Sequence, residues 1–280
     1  MVEHFVAVNG IRIHALDHEG GEPPLVFLPG LSANARSFDG LIQAGLSPRF
    51  RVVAVDLRGR GSSDKPDSGY SMSDHASDVI GLFDSLGLEQ PVVCGHSFGG
   101  LLTLFLASQY PNRVSRLVIL DSSSQIVNPT SRDLIKPSLA RLDKVFPSWE
   151  VYLDAMKNAP QFHGWWDPTI ESYYQADVEV ASDGSVRTRA RYGNIAAAID
   201  GAAAENWDAH VSRIRQPALL LRAPESYGLP GAPPMVPLEH ATRTVEALAD
   251  CRYAEVPGNH MTMMFGEGAK RIVAMITEFV

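Results

Sequence analysis

Short unbroken apolar runs alternate with longer amphipathic ones along most of the chain. Phe5–Val8 and Ile11–His14 flank Asn9-Gly10, and this reads as a β-hairpin because Asn and Gly tolerate the positive φ angles of a two-residue turn. Pro24–Leu28, Arg51–Val55, Pro91–Cys94, Ser115–Leu120, Pro217–Arg222 and Arg252–Val256 have the length and composition of strands buried on both faces. Helical patterns follow them, over about 36–44, 73–86, 101–109, 238–248 and 267–279; the second carries acid in its first turn and stops at Gly87. Strand-then-helix repetition predicts an α/β fold with a mostly parallel central sheet and helices on both faces.

The rhythm breaks between Ser122 and Gln216. This stretch is irregular, helix-like and rich in aromatics (Trp149, Phe162, Trp165, Trp166, Tyr173, Tyr174), with a short hairpin or exposed loop over 178–186. The expected organisation is a core of residues 1–121 and 217–280, interrupted by a cap over 122–216.

One segment stands out chemically. Gly95-His96-Ser97-Phe98-Gly99-Gly100 fits G-x-S-x-G, with a β-branched strand before it and an apolar helix after it. A serine on so tight a strand-to-helix turn needs small neighbours, and the helix N-terminus behind it favours developing negative charge. Ser97 is thus a candidate nucleophile. A serine hydroxyl is weak until a base takes its proton, so a histidine must lie within reach. Of the nine histidines, His260 follows the last strand in Pro257-Gly258-Asn259-His260. His75 and His240 are expected to face solvent, and His163 and His210 to lie in or at the edge of the cap.

Charge and composition narrow the classes. A net charge of −8 without a Lys/Arg run argues against nucleic acid as a partner. No segment approaches the roughly 18 apolar residues of a membrane span. The first residues lack a basic and apolar leader pattern, and only Cys94 and Cys251 occur, so a cytoplasmic protein without a disulfide framework is expected. No Cys/His cluster at metal spacing appears, so neither metal nor cofactor is expected. Arg58 and Arg60, in the glycine-rich Asp56–Ser63 segment without G-K-[ST], are expected to brace that loop and not to bind phosphate.

Four motifs together resemble the α/β-hydrolase family: Leu28-Pro29-Gly30-Leu31, Asp56-Leu57-Arg58-Gly59-Arg60-Gly61-Ser62-Ser63, the Gly95–Gly100 turn, and Pro257-Gly258-Asn259-His260. The resemblance covers nearly the whole chain outside the cap. It implies the α/β-hydrolase fold with a helical cap, Ser97 as nucleophile, His260 as base, and backbone N–H groups of Leu31 and Phe98 as an oxyanion hole. His96 would pack beside the turn. The third triad member departs from the pattern: where Asp usually follows the strand ending at Arg222, this chain has Ser226. Asp121, ending the strand after the Ser97 helix, and Glu225 both keep the order Ser, acid, His, and Asp121 is preferred.

The implied activity is that of a serine hydrolase cleaving a fairly apolar carboxylic ester or lactone through an acyl-enzyme. The same triad would also serve C–C bond hydrolysis or a thioesterase, and the fold a non-enzymatic ligand-binding protein. A serine nucleophile disfavours dehalogenase and epoxide hydrolase readings, which need a carboxylate there. Trp165 and Trp166 are the expected substrate-binding residues of the cap.

Overall fold

The computed structural model describes all 280 residues. Its strands are β1 (Val2–Val8), β2 (Ile11–His18), β3 (Leu25–Leu28), β4 (Val52–Asp56), β5 (Val92–His96), β6 (Arg116–Leu120), β7 (Val145–Phe146), β8 (Val178–Val180), β9 (Val186–Thr188), β10 (Ala218–Arg222) and β11 (Cys251–Glu255). Eight of them form one sheet in the order β1-β2-β4-β3-β5-β6-β10-β11. Only the hairpin strands β1 and β2 run antiparallel to their neighbours. The six others pair in parallel.

The apolar runs divide by parity between two cores, as the period of two requires. Val26, Val53, Val93, Leu117, Ile119 and Leu220 face one core; Leu25, Phe27, Cys94, Val118, Leu120 and Leu221 face the other. Both faces are covered by helices, numbered α1 (Asp39–Gln43), α2 (Leu46–Arg49), α3 (Met72–Ser85), α4 (Phe98–Gln109), α5 (Pro129–Leu139), α6 (Trp149–Lys157), α7 (Ile170–Asp177), α8 (Tyr192–Ala203), α9 (Trp207–Val211), α10 (Leu238–Ala247) and α11 (Gly266–Phe279). The first core takes residues of α3, α4, α8, α9 and α10, and the second those of α1 and α11 together with Tyr152, Tyr173 and Tyr174. No helix is long and apolar enough to cross a membrane.

Residues 122–216 hold α5 to α9 and a small antiparallel sheet in the order β7-β9-β8. The hairpin expected over 178–186 is two strands of that sheet. Its last part returns to the main body before Gln216, since Trp207 and Val211 of α9 pack into the core beside α4. The helix expected over 36–44 is instead a 3-10 turn, Ala35–Phe38, leading into α1. Asn34 there accepts a hydrogen bond from the Arg36 N–H, so the chain enters through a tight turn.

His75 corrects the sequence expectation: it is fully buried, not solvent-facing. Ser71 and Asp74 form a capping box that starts α3 at Met72, and His75 then falls on the buried stripe with Met72, Ala76, Val79, Leu82 and Phe83. His240 is half-buried and not free in solvent.

Candidate active site

Ser97 sits between the end of β5 and the start of α4 with φ +56° and ψ −117°. Such a backbone costs on the order of 1–3 kcal/mol and persists only when its surroundings hold it. They do. The Ser97 N–H donates to the Leu120 carbonyl at 3.0 Å, and its carbonyl accepts from the Gly100 N–H at 2.8 Å and the Ser122 hydroxyl at 2.8 Å. The helix crosses so close to the sheet that a Cβ on Gly95 would overlap the Gly99 carbonyl, and one on Gly99 would overlap the Leu28 carbonyl. Both glycines are therefore steric requirements of the turn.

β6 lies directly beside β5, and Asp121 follows its last residue. The carboxylate is fully buried. Oδ1 accepts from the Ala223 N–H at 2.9 Å, and Oδ2 accepts from Nδ1–H of His260 at 2.6 Å. Spending Nδ1–H on Asp121 leaves Nε2 of His260 as the proton acceptor. Glu225 lies elsewhere: it is exposed, and its carboxylate accepts from the Gly258 N–H at 3.0 Å, holding the histidine loop from outside.

That loop is held from three further directions. Asn259 Oδ1 accepts from the Met261 and Thr262 N–H groups at 2.9 and 3.0 Å, and its Nδ2 donates to the Gln161 carbonyl at 2.8 Å. Nε2–H of His96 donates to the His260 carbonyl at 2.8 Å. Burial, with the charge of His260 next, pushes the His96 pKa well below 6.5, so the ring is neutral and serves as a fixed donor. Tyr227 packs edge-on against His260, with ring centroids 5.4 Å apart. The Asn259 contacts had a readable signal: Asn followed by Thr three residues later favours such a local turn.

Behind Ser97, Arg60 bridges the two residues singled out for their N–H groups. Its guanidinium is buried, donates from Nε to the Leu31 carbonyl at 2.9 Å, and lies 5.3 Å from the centroid of the Phe98 ring. It also donates to the Arg58 carbonyl at 2.6 Å and to Nε2 of His75 at 2.8 Å. Nδ1–H of His75 donates to the Ser71 carbonyl at 2.8 Å, and burial followed by Arg60 itself keeps this histidine neutral. Burial pulls the Arg60 pKa down to about 9, which still leaves it charged near neutrality. The Leu31 and Phe98 N–H groups have no acceptor within the protein. Arg58 makes a bidentate pair with Asp78 at 2.6 and 2.7 Å and braces the same loop.

Ser97, His96, His260 and Leu31 open onto one cavity. Its other walls include Tyr173, Tyr174, Gln161, Met156, Met261 and Arg141. Burial raises both tyrosine pKa values far above 10, so the hydroxyls stay protonated donors. Arg141 is held by Asp177 at 2.8 and 3.2 Å and reaches the Ser32 carbonyl at 3.2 Å, tying the 122–216 segment to the loop that carries Leu31.

Trp165 and Trp166 lie outside this cavity. Trp165 is on the surface of a separate, polar outer cleft, together with His163. Trp166 stacks on Tyr174 at 6.1 Å and so backs a residue that does reach the cavity. Sequence reading missed Arg141 and Tyr227, because nothing in the local pattern says which way an isolated cap side chain turns.

A parallel sheet presenting Ser97 and an Asp121–His260 pair at one cavity defines a hydrolase of this architecture. A family model for the alpha/beta hydrolase fold matches residues 23–265, and the chain belongs to that family. It is 37% identical over 128 residues to the 2-(acetamidomethylene)succinate hydrolase of Mesorhizobium japonicum, covering 44% of this chain and 45% of that one. It is 36% identical over 121 residues to a soluble epoxide hydrolase of a Corynebacterium species, covering 43% and 42%. The matched part thus spans less than half the length of these relatives. Among solved structures, an E-2-(acetamidomethylene)succinate hydrolase superposes with a TM-score of 0.85 at 24% identity, covering 99% of this chain and 98% of the other. The enol-lactonase of Burkholderia xenovorans superposes with a TM-score of 0.70 at 22% identity, covering 99% of each.

Proposed function

We propose that the chain is a serine hydrolase that cleaves a carboxylic ester or lactone of a small, mostly apolar molecule through an acyl-enzyme. The observation that carries this reading is the buried Asp121–His260 hydrogen bond of 2.6 Å at the cavity onto which Ser97 opens. His260 Nε2 takes the Ser97 proton as Oγ bonds to the substrate carbonyl carbon. The negative charge then developing on the carbonyl oxygen is met by the Leu31 and Phe98 N–H groups, each such donor being worth roughly 3 kcal/mol. His260 gives its proton to the departing alkoxide as the carbon–oxygen bond breaks. Water repeats the cycle: it loses a proton to His260, bonds to the acyl carbon, and Ser97 leaves with the proton restored. Asp121 holds the imidazole tautomer throughout and stabilises the imidazolium.

Hydrolysis of a panel of acyl esters, lactones and thioesters, with fluorophosphonate labelling, tests the reading. Loss of both with Ser97→Ala supports it, and activity surviving that change contradicts it. The two free cysteines suit a reducing compartment, which favours the cytoplasm. A second reading is hydrolysis of an amide on an acidic substrate. The name of the Mesorhizobium relative favours it. Turnover of N-acyl enamine diacids above that of neutral esters would select it.

A further inference from the structure

Ser97 borders a second, partly open hollow that the reading above leaves unused. Phe98, Leu101, Ile126, Ile135, Ile199 and Met235 wall it, and it is apolar except for Ser97, Ser131 and Arg132. The Ser131 hydroxyl is already committed to the Ile126 and Asn128 carbonyls, so it offers a ligand little. Arg132 is a half-exposed side chain facing Asp200. Leu31, Ser97 and Ile135 belong to both cavities, so the serine stands where the two meet. His260 lines only the first, and Phe98 only the second.

Reaction geometry then assigns the chambers. When Ser97 Oγ adds to an ester, three other groups radiate from the tetrahedral carbon: the oxyanion, the leaving oxygen and the acyl chain. The oxyanion is fixed by the Leu31 and Phe98 N–H groups. The leaving oxygen must come within hydrogen-bond reach of His260 Nε2 to receive its proton. The leaving group therefore occupies the cavity that His260 lines, with the Tyr173 and Tyr174 hydroxyls and Gln161. The acyl chain points to the side without His260.

Building on the proposed esterase chemistry, the geometry points to an open-chain ester whose flexible, unbranched apolar acyl group fills the chamber of Ile126, Ile199 and Met235, and whose alcohol carries hydrogen-bonding groups. A small lactone holds both arms in one ring and cannot send them into separate chambers. In the first step the Ser97 Oγ–acyl bond forms, the acyl–alkoxide bond breaks and the alcohol leaves with the former serine proton; water then releases the fatty acid and restores Ser97.

The test uses two ester series on the whole protein: p-nitrophenyl acetate to octanoate, and acetates of alcohols differing in size and polarity. For the wild type, kcat/KM rises with acyl length, by up to about fourfold per methylene, until the chamber is full. Ile199→Trp, at a half-buried position, lowers the octanoate-to-acetate ratio of kcat/KM at least tenfold and keeps the ranking of alcohols. Ala159→Phe, in the first cavity, reorders the alcohols and keeps the acyl ranking. Melting temperatures confirm that both variants fold, and Ile199→Phe replaces Ile199→Trp if it does not. A wild type indifferent to acyl length overturns the assignment, as does Ile199→Trp reordering the alcohols. If no ester is turned over and fluorophosphonate leaves Ser97 unlabelled, the hydrolase reading itself falls. Labelling of Ser97 with flat acyl dependence removes only the chamber assignment.

Discussion

Asp121 has φ +42°, a value uncommon outside glycine, and it is fully buried. The bend after β6 sets its carboxylate between the Ala223 N–H and Nδ1–H of His260. Asp121→Asn keeps the shape but presents an amide to His260 Nδ1 and disfavours the required tautomer. It is expected to lower kcat by about 10⁴. Glu225→Gln removes only a bond to the Gly258 N–H of the loop, and steady-state kinetics should place it within a few-fold of wild type. The opposite pair of results would move the acid to Glu225. Asp121 ends a strand without a motif, so chain order left Glu225 open beside it. Ser97 and His260 could be placed from sequence because each has a local motif near a strand end that fixes direction. Trp165 and Trp166 lack it: they follow a 3-10 turn, Pro160–Phe162, in a region without period, and packing against Phe162, Tyr174 and Phe265 decides where they point.

Elements act here mainly by holding loops. Asp56, at the end of β4, accepts from Nδ1–H of His14 on β2 and from the N–H groups of Ala35 and Ser62, each at 2.7 Å. Nε2–H of His14 donates to Glu3 on β1, also at 2.7 Å. Burial disfavours the imidazolium, but the bond and charge of Asp56, with those of Glu3, outweigh it and raise the His14 pKa above 6.5. A raised folded pKa gives stabilisation that is complete below the unfolded value of about 6.5 and is lost as pH rises through the folded value. The melting-temperature gap between wild type and His14→Gln should accordingly be widest near pH 5.5 and shrink toward pH 9; a gap that grows with pH contradicts the assignment. The serine turn is under tighter steric control. Gly99→Ala drives a Cβ into the backbone of β3 and is expected to cost more than about 4 kcal/mol, read as a collapse in melting temperature or soluble yield. The sheet strands were legible as apolar runs because both faces are buried. His75 carried a signal too, its place on the apolar stripe of α3, which its polarity obscured.

At the scale of the whole molecule, a buried ion pair inside the 122–216 segment holds the arginine that reaches the main sheet's loops. Arg141 and Asp177 are both nearly inaccessible, Tyr152 donates to Asp177 at 2.5 Å, and Arg141 reaches Ser32 beside Leu31. Removing one partner leaves a buried charge uncompensated. Arg141→Met is expected to cost about 3–5 kcal/mol, and adding Asp177→Leu to recover much of it. Denaturant melts of the two variants check this, and equal stability of the single and double variants would mean the pair is not buried as described. None of this was visible in the sequence, because Arg141 and Asp177 are far apart in the chain and neither belongs to a motif. The alternation of strands and helices fixed the α/β layers from local pattern alone. The 122–216 segment depends on long-range contacts.

Activation of Ser97 as a nucleophile by the Asp121–His260 pair is the proposal on which the rest depends. The most direct measurement is mass spectrometry of the protein after reaction with a fluorophosphonate, followed by peptide mapping. A single adduct on the peptide containing Ser97, strongly slowed in Asp121→Asn and absent in Ser97→Ala, is predicted. An adduct on another residue, or one that survives Ser97→Ala, would contradict it.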